Sequence, residues 1–171
     1  MRIGVLSALL LSACTSIVPS TVMRLNDVSP TTADLAGFAI DLSLPAGIDI
    51  VPGTAQLMFA VTRSDTGEMQ SGAFVLEREG SVFRVAPQDL SELRALQATA
   101  RAWEAENEDA SNGSLGISLS PCLIGDGPAP NARVSVGLRL AEDGAFLPLV
   151  RNGPLSAVAP DAQIRDMGAC P

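Results

Sequence analysis

The sequence contains no histidine, no tyrosine and no lysine, and all eleven of its basic residues are arginine. Without histidine there is no Ser-His-Asp or Cys-His nucleophile system and no histidine metal site. Without lysine there is no Schiff base and no phosphate-loop lysine. Aromatic residues make up only 4% of the chain, which leaves few rings to stack on sugars. We therefore expect a protein that is not an enzyme, with no catalytic residue, no cofactor and no metal.

Charge of one sign is in excess. The chain has eleven arginines but nineteen aspartates and glutamates, which gives a formal net charge of −8. An acidic surface repels nucleic acid, so we expect no nucleic-acid partner. The length of 171 residues fits one domain of ordinary size.

The first residues have the pattern of an export signal. Arg2 precedes an apolar stretch from Ile3 to Leu11. As a helix this stretch covers about 14 Å, less than half a bilayer, which favours a leader over a membrane span. It ends in Leu11-Ser12-Ala13-Cys14. The alternative is an ordinary secretory leader with an incidental cysteine.

These four residues resemble the lipobox of bacterial lipoproteins, with Cys14 at its last position. The resemblance implies cleavage before Cys14, diacylglycerol on its sulfur and an acyl chain on its new amino group. Thr15, in place of aspartate, implies sorting to the outer membrane. We therefore expect a lipid-anchored protein of the cell envelope that faces the periplasm and contacts the membrane through Cys14.

Two further cysteines, Cys122 and Cys170, remain after the lipidated one. An even remainder in an oxidising compartment predicts one disulfide, with free or intermolecular thiols as the alternative. Such a bridge would stabilise the fold by roughly 4 kcal/mol in the chain-entropy model. Two cysteines without histidine supply too few ligands for zinc.

Alternating apolar residues predict a series of short antiparallel strands. Val22–Val28 alternates weakly and is predicted as an edge strand. The clearer strands, separated by turn residues, are 38–44, 57–61, 74–76, 82–85, 115–119, 134–140 and 146–150. The predicted organisation is a signal peptide at 1–13, a lipidated tether at 14–21 and one globular domain at 22–171, with a short helical turn at 155–158.

A helical stripe follows Pro87. Leu90, Leu93, Leu96, Ala100 and Trp103 share one face and predict a helix over about 88–107, ended by Ser111-Asn112-Gly113. The predicted fold is α+β: an antiparallel sheet or a two-layer sandwich, with this long helix covering it. A second sheet layer is preferred, because one helix covers only part of two faces. The disulfide would fix the C-terminal tail beside the strand that contains Cys122.

Three groups of residues have a possible function. The acidic helix end could hold a divalent cation or a basic partner, or be a solvated terminus, and the calcium-loop pattern is absent. The glycines of Gly125-Asp126-Gly127 predict a turn, because Pro128 and Pro130 remove phosphate-binding N–H groups. Trp103 is predicted in the core, with an interface anchor as the alternative. The acidic residues are Glu104, Glu106, Glu108 and Asp109.

Three functional hypotheses remain. The first is a non-catalytic accessory or scaffold for an envelope assembly, with an envelope protein as partner. The second is a module that binds a small or apolar ligand between sheet and helix, where Ala95, Ala98 and Ala102 would leave room. The third, which we favour least, is a carboxylate-dependent hydrolase of cell-wall glycan.

Overall fold

Seven antiparallel strands form the main sheet of the computed structural model, which describes residues 16–171. The order across this sheet is β6-β3-β4-β5-β1-β8-β9, and β2 pairs separately with β7. The predicted signal peptide, residues 1–13, and Cys14 lie outside the described residues. The strands are Ala39–Ser43 (β1), Ile48–Ile50 (β2), Gln56–Arg63 (β3), Met69–Glu79 (β4), Val82–Val85 (β5), Ser111–Ser118 (β6), Pro121–Leu123 (β7), Arg133–Arg139 (β8) and Leu147–Pro154 (β9).

The α+β class and the antiparallel sheet are confirmed. All seven clearly alternating segments form strands, because alternation presents one apolar face to a common interior. The preferred second sheet layer is reduced to the two short strands β2 and β7. Alternation identified neither, since three residues are too few to show it, although a strand that contains Cys122 was expected beside the disulfide and is β7.

Two local predictions were wrong. Residues 22–28 are not an edge strand, because Pro19 starts helix α1, Pro19–Asn26, at a position where its fixed φ favours a helix. Ser111–Gly113 are not a turn but the first residues of β6, paired with Val61–Arg63 of β3. Pairing along a long neighbouring strand outweighs the turn preference of these small residues.

The predicted long helix is present as α2, Leu90–Glu106, after a 3-10 turn at Pro87–Asp89. It packs on β3, β4 and β6 through its apolar stripe, in which Leu93 and Ala100 are fully buried. Gln97 is also buried, and its amide donates hydrogen bonds to the backbone oxygens of Pro30 and Ala33, both at 2.9 Å. These bonds remove the cost of burying a polar side chain.

The main sheet is strongly curled. Ile117 on β6 and Leu149 on β9 belong to opposite edges of the sheet, yet both line one cavity. Helix α2 covers one half of the concave face, where its buried residues belong to the same apolar core as the strand residues beneath it. The other half is covered by β2, β7 and the C-terminal residues, including helix α3, Asp161–Arg165.

Both ends of the described residues 16–171 are attached to strands, the first to β9 and the last to β7. Val18 donates a backbone hydrogen bond to Leu149 (2.9 Å), and the Thr21 hydroxyl donates to Pro148 (2.7 Å). The predicted tether of 14–21 therefore includes residues that are bonded to β9. Cys122 and Cys170 form the predicted disulfide, with their Cα atoms 4.9 Å apart. As expected, it holds the tail beside β7.

Candidate functional site: an apolar pocket

An apolar pocket of about 490 Å³ occupies the half of the concave face that α2 leaves uncovered. Its floor is formed by alternate residues of β1 and β8, which the antiparallel register places opposite each other. Ile40 lies opposite Leu138, and Leu42 lies opposite Val136. Because strand residues two apart share a face, the alternation that predicted these strands also determines the pocket floor.

The edge strand β9 adds two consecutive residues to the wall. Leu149 and Val150 both line the pocket, although neighbouring strand residues ordinarily point to opposite faces. The register of the β8–β9 pair shifts here, with Val136 opposite Val150 and Gly137 opposite Pro148. Leu149 is the extra residue of this bulge, which turns its side chain toward the pocket.

The remaining walls come from the small sheet and the C-terminal residues. Ile48 and Ile50 of β2 close one side. A 3-10 turn at Leu155–Ala157, confirming the predicted helical turn, and helix α3 close another through Ile164. Met167 follows α3, and the backbone of Cys170 donates to Leu123 (2.9 Å). The disulfide thus fixes the segment that carries this wall.

The chemistry of the lining is almost purely aliphatic. Among the described residues that line the pocket, Gln163 alone has a polar side chain, and it is exposed at the surface. No charged and no aromatic side chain belongs to this described lining. A polar group placed in the interior would lose its hydrogen bonds to water without replacement, at a cost of about 1–3 kcal/mol. The pocket can hold hydrocarbon, with any polar end left at the mouth.

The volume sets the size of a ligand. A dry aliphatic cavity of about 150 Å³ accepts benzene, whose ring has six carbons. In proportion, 490 Å³ holds about 20 carbon atoms. The pocket is therefore large enough for one long hydrocarbon chain and too small for the two chains of a diacyl lipid.

The alanines predicted to line a ligand site do not do so. Ala95, Ala98 and Ala102 are exposed on the outer face of α2, because the opposite face carries the buried stripe. The space between helix and sheet is filled by core residues. The strand residues of the pocket were missed because alternation does not show which part of the apolar strand face is left uncovered. Apolar Val158, Ile164 and Met167 in the tail were the available signal.

The acidic helix end has partners. Arg63 on β3 forms ion pairs with Asp65 and Glu106, and the Thr31 hydroxyl donates to Glu104 (2.9 Å). The hydrogen bonds from Arg63 lower the pKa of Asp65 to about 2, and they raise the pKa of Arg63. Within residues 16–171, no three acidic, cysteine or histidine side chains are grouped as metal ligands.

The remaining residues singled out in the sequence are Trp103, the Gly125–Gly127 loop and Cys14. Trp103 is half-buried and packs against the core, as predicted, with the Arg63 guanidinium 6.0 Å from its ring centre. Gly125 and Gly127 both have positive φ in the loop between β7 and β8, in agreement with the predicted turn. Cys14 lies outside the described residues, so its lipidation stays a prediction.

Comparison of this chain with family models, with curated proteins and with solved structures finds no match. Over residues 16–171, none of the helices combines the length and apolar character that crossing a bilayer requires.

Proposed function

We propose that this protein is a non-catalytic, lipid-anchored accessory protein of the cell envelope that binds one hydrocarbon chain in its apolar pocket. The anchor is Cys14, and the expected location is the periplasmic face of the outer membrane. The observation that carries the proposal is the lining of the pocket, in which aliphatic side chains border about 490 Å³ of space. Pockets of this size are typical of small-molecule sites.

The expected affinity follows from the hydrophobic effect. Each methylene that leaves water contributes about 0.8 kcal/mol, which is a factor of about four in the dissociation constant. Affinity should therefore rise with chain length until the pocket is full. For chains longer than about 20 carbons the added methylenes stay in water, and the gain should stop.

A fluorescence titration with the fatty acid cis-parinaric acid tests the proposal. A chain that begins at Thr15 retains every described contact and avoids the lipid anchor. We expect saturable binding of one probe per chain, and displacement by saturated fatty acids in order of their length.

A matched pair of variants ties binding to the pocket. Ala157 lines the pocket and is half-buried, whereas Ala98 is exposed on α2. Ala157→Phe should occupy about a third of the pocket, leave room for only about 14 carbons and so weaken binding of the longer probe at least tenfold. Ala98→Phe should leave binding unchanged. Equal binding by both variants and by the parent would refute the proposed site.

A further inference from the structure

We propose that the mouth of the pocket faces the bilayer, so that the pocket accepts one acyl chain of a membrane phospholipid directly from the leaflet. This inference rests on the proposed function, which supplies the anchor and the binding of hydrocarbon. It adds the orientation of the domain and the source of the ligand.

The first argument is the position of the mouth. Four apolar lining side chains are more than one third exposed and, with the exposed Gln163, mark where the pocket opens to solvent. They come from the N-terminal segment, α1, β6 and the turn before α3. They are Ile17 (46%), Val22 (37%), Ile117 (38%) and Val158 (47%).

The second argument is the distance to the anchor. Arg151 donates a backbone hydrogen bond to Ser16 (2.8 Å), and Ile17 forms a β-bridge with Val150. The chain is thus fixed to β9 from Ser16 onward. Two residue steps separate Ser16 from Cys14, so the anchor lies at most about 7 Å from this edge. A bilayer that holds the acyl chains of Cys14 must lie next to the mouth.

The third argument is the chemistry of the rim. Met23, the residue after Val22 on α1, is also apolar and is 67% exposed. The described lining contains no charged side chain that would lose hydration against a bilayer. Exposed apolar side chains at a membrane-proximal rim are favourable, because they leave water when they contact acyl chains. An acyl chain could then move from leaflet to pocket without crossing water.

The test uses the lipidated protein in vesicles of phosphatidylethanolamine and phosphatidylglycerol. A trace of phosphatidylcholine carries a photoreactive diazirine at the end of one acyl chain, and mass spectrometry locates its crosslinks after irradiation. We expect crosslinks at the pocket floor, on Val136 or Leu42, and at the rim on Val158. Ala157→Phe should lower the floor crosslinks at least tenfold and leave those at the rim.

A second matched pair tests the rim. Val158 and Val75 have similar exposure (47% and 43%), but Val75 lies on β4 outside the pocket lining. Val158→Asn should lower the floor crosslinks on Val136 or Leu42 at least fivefold, whereas Val75→Asn should leave them unchanged.

The outcomes separate the inference from the proposed function. Saturable binding of parinaric acid without floor crosslinks from the vesicles would overturn the inference and leave the proposed function standing. This result would also arise if the acyl chains of Cys14 itself, or a second copy of the chain, occupied the mouth. Failure of parinaric acid to bind would refute the proposed function.

Discussion

The two halves of the concave face are built from the same alternating strands but are filled differently. Under α2 the interior contains aromatic rings: Phe59 of β3 and Phe74 of β4 are buried there with Leu93. Around the pocket the described lining has no aromatic residue. Rings and a helix fill the first half to close packing, whereas short aliphatic side chains leave space in the second. The comparison teaches that a binding site can arise where the covering element stops short of the sheet.

Removal of the Cys122–Cys170 disulfide should have the largest effect on stability. Cys122→Ser is expected to lower the free energy of unfolding by roughly 4 kcal/mol, because it removes a constraint on the unfolded chain. It should also weaken parinaric acid binding, since the bridge holds the tail that carries Ile164 and Met167. Urea titrations and the probe assay measure the two effects. A variant with unchanged stability and affinity would mean that the tail does not depend on the bridge.

A pair of leucine truncations compares the two halves directly. Leu93→Ala in the packed half is expected to cost about 3 kcal/mol, because it leaves a cavity among close neighbours. Leu149→Ala in the pocket wall should cost about 1 kcal/mol, since this half-buried side chain already borders empty space. Equal losses in denaturant titrations would show that the pocket half is packed as tightly as the other.

The ligand should stabilise one half more than the other. Saturating palmitate is expected to slow amide hydrogen exchange in β8 and β9, whose residues line the pocket, and to change it little in α2. The measurement is hydrogen exchange with and without ligand. Uniform slowing across α2 and β9 would indicate a global effect and contradict the difference between the halves.

The smallest effect concerns the ion pairs at the end of α2. Because the folded pKa of Asp65 is lowered, its stabilising contribution is present above about pH 4 and disappears as the pH falls through about 2. Melting temperatures of the parent and Asp65→Asn should therefore differ at pH 5 and converge near pH 2. High salt should reduce the difference, because the pair lies at the surface. A constant difference down to pH 2 would exclude titration of Asp65 as its source.

Local pattern predicted most of the fold. Alternation identified the strands that form the floor of the pocket, and the stripe from Leu90 to Trp103 identified α2 within two residues at its ends. The failures at Val22–Val28 and Ser111–Gly113 have one cause each, a proline that begins a helix and a long strand that recruits turn residues. In both, a neighbouring residue or strand outweighed the local pattern.

The pocket itself could not be predicted from the sequence. Ile40 and Leu42 carry the same alternation as Leu57 and Phe59, yet only the first two line the pocket. The difference depends on where α2 ends, on the bulge at Leu149 and on the path of the tail after Leu155. These are tertiary features, which local sequence patterns do not show. The sequence analysis instead placed the ligand site between α2 and the sheet, at Ala95, Ala98 and Ala102, and these residues are exposed.

Methyl NMR tests the central claim most directly, because both halves are rich in isoleucine, leucine and valine. With ¹³C-labelled methyl groups and unlabelled palmitate, the account predicts intermolecular nuclear Overhauser effects to Val136, Leu149 and Ile164. It predicts none to the methyl groups of Leu93. Contacts to Leu93 in place of Val136, or no contacts at saturating palmitate, would contradict the assignment of the pocket as a hydrocarbon site.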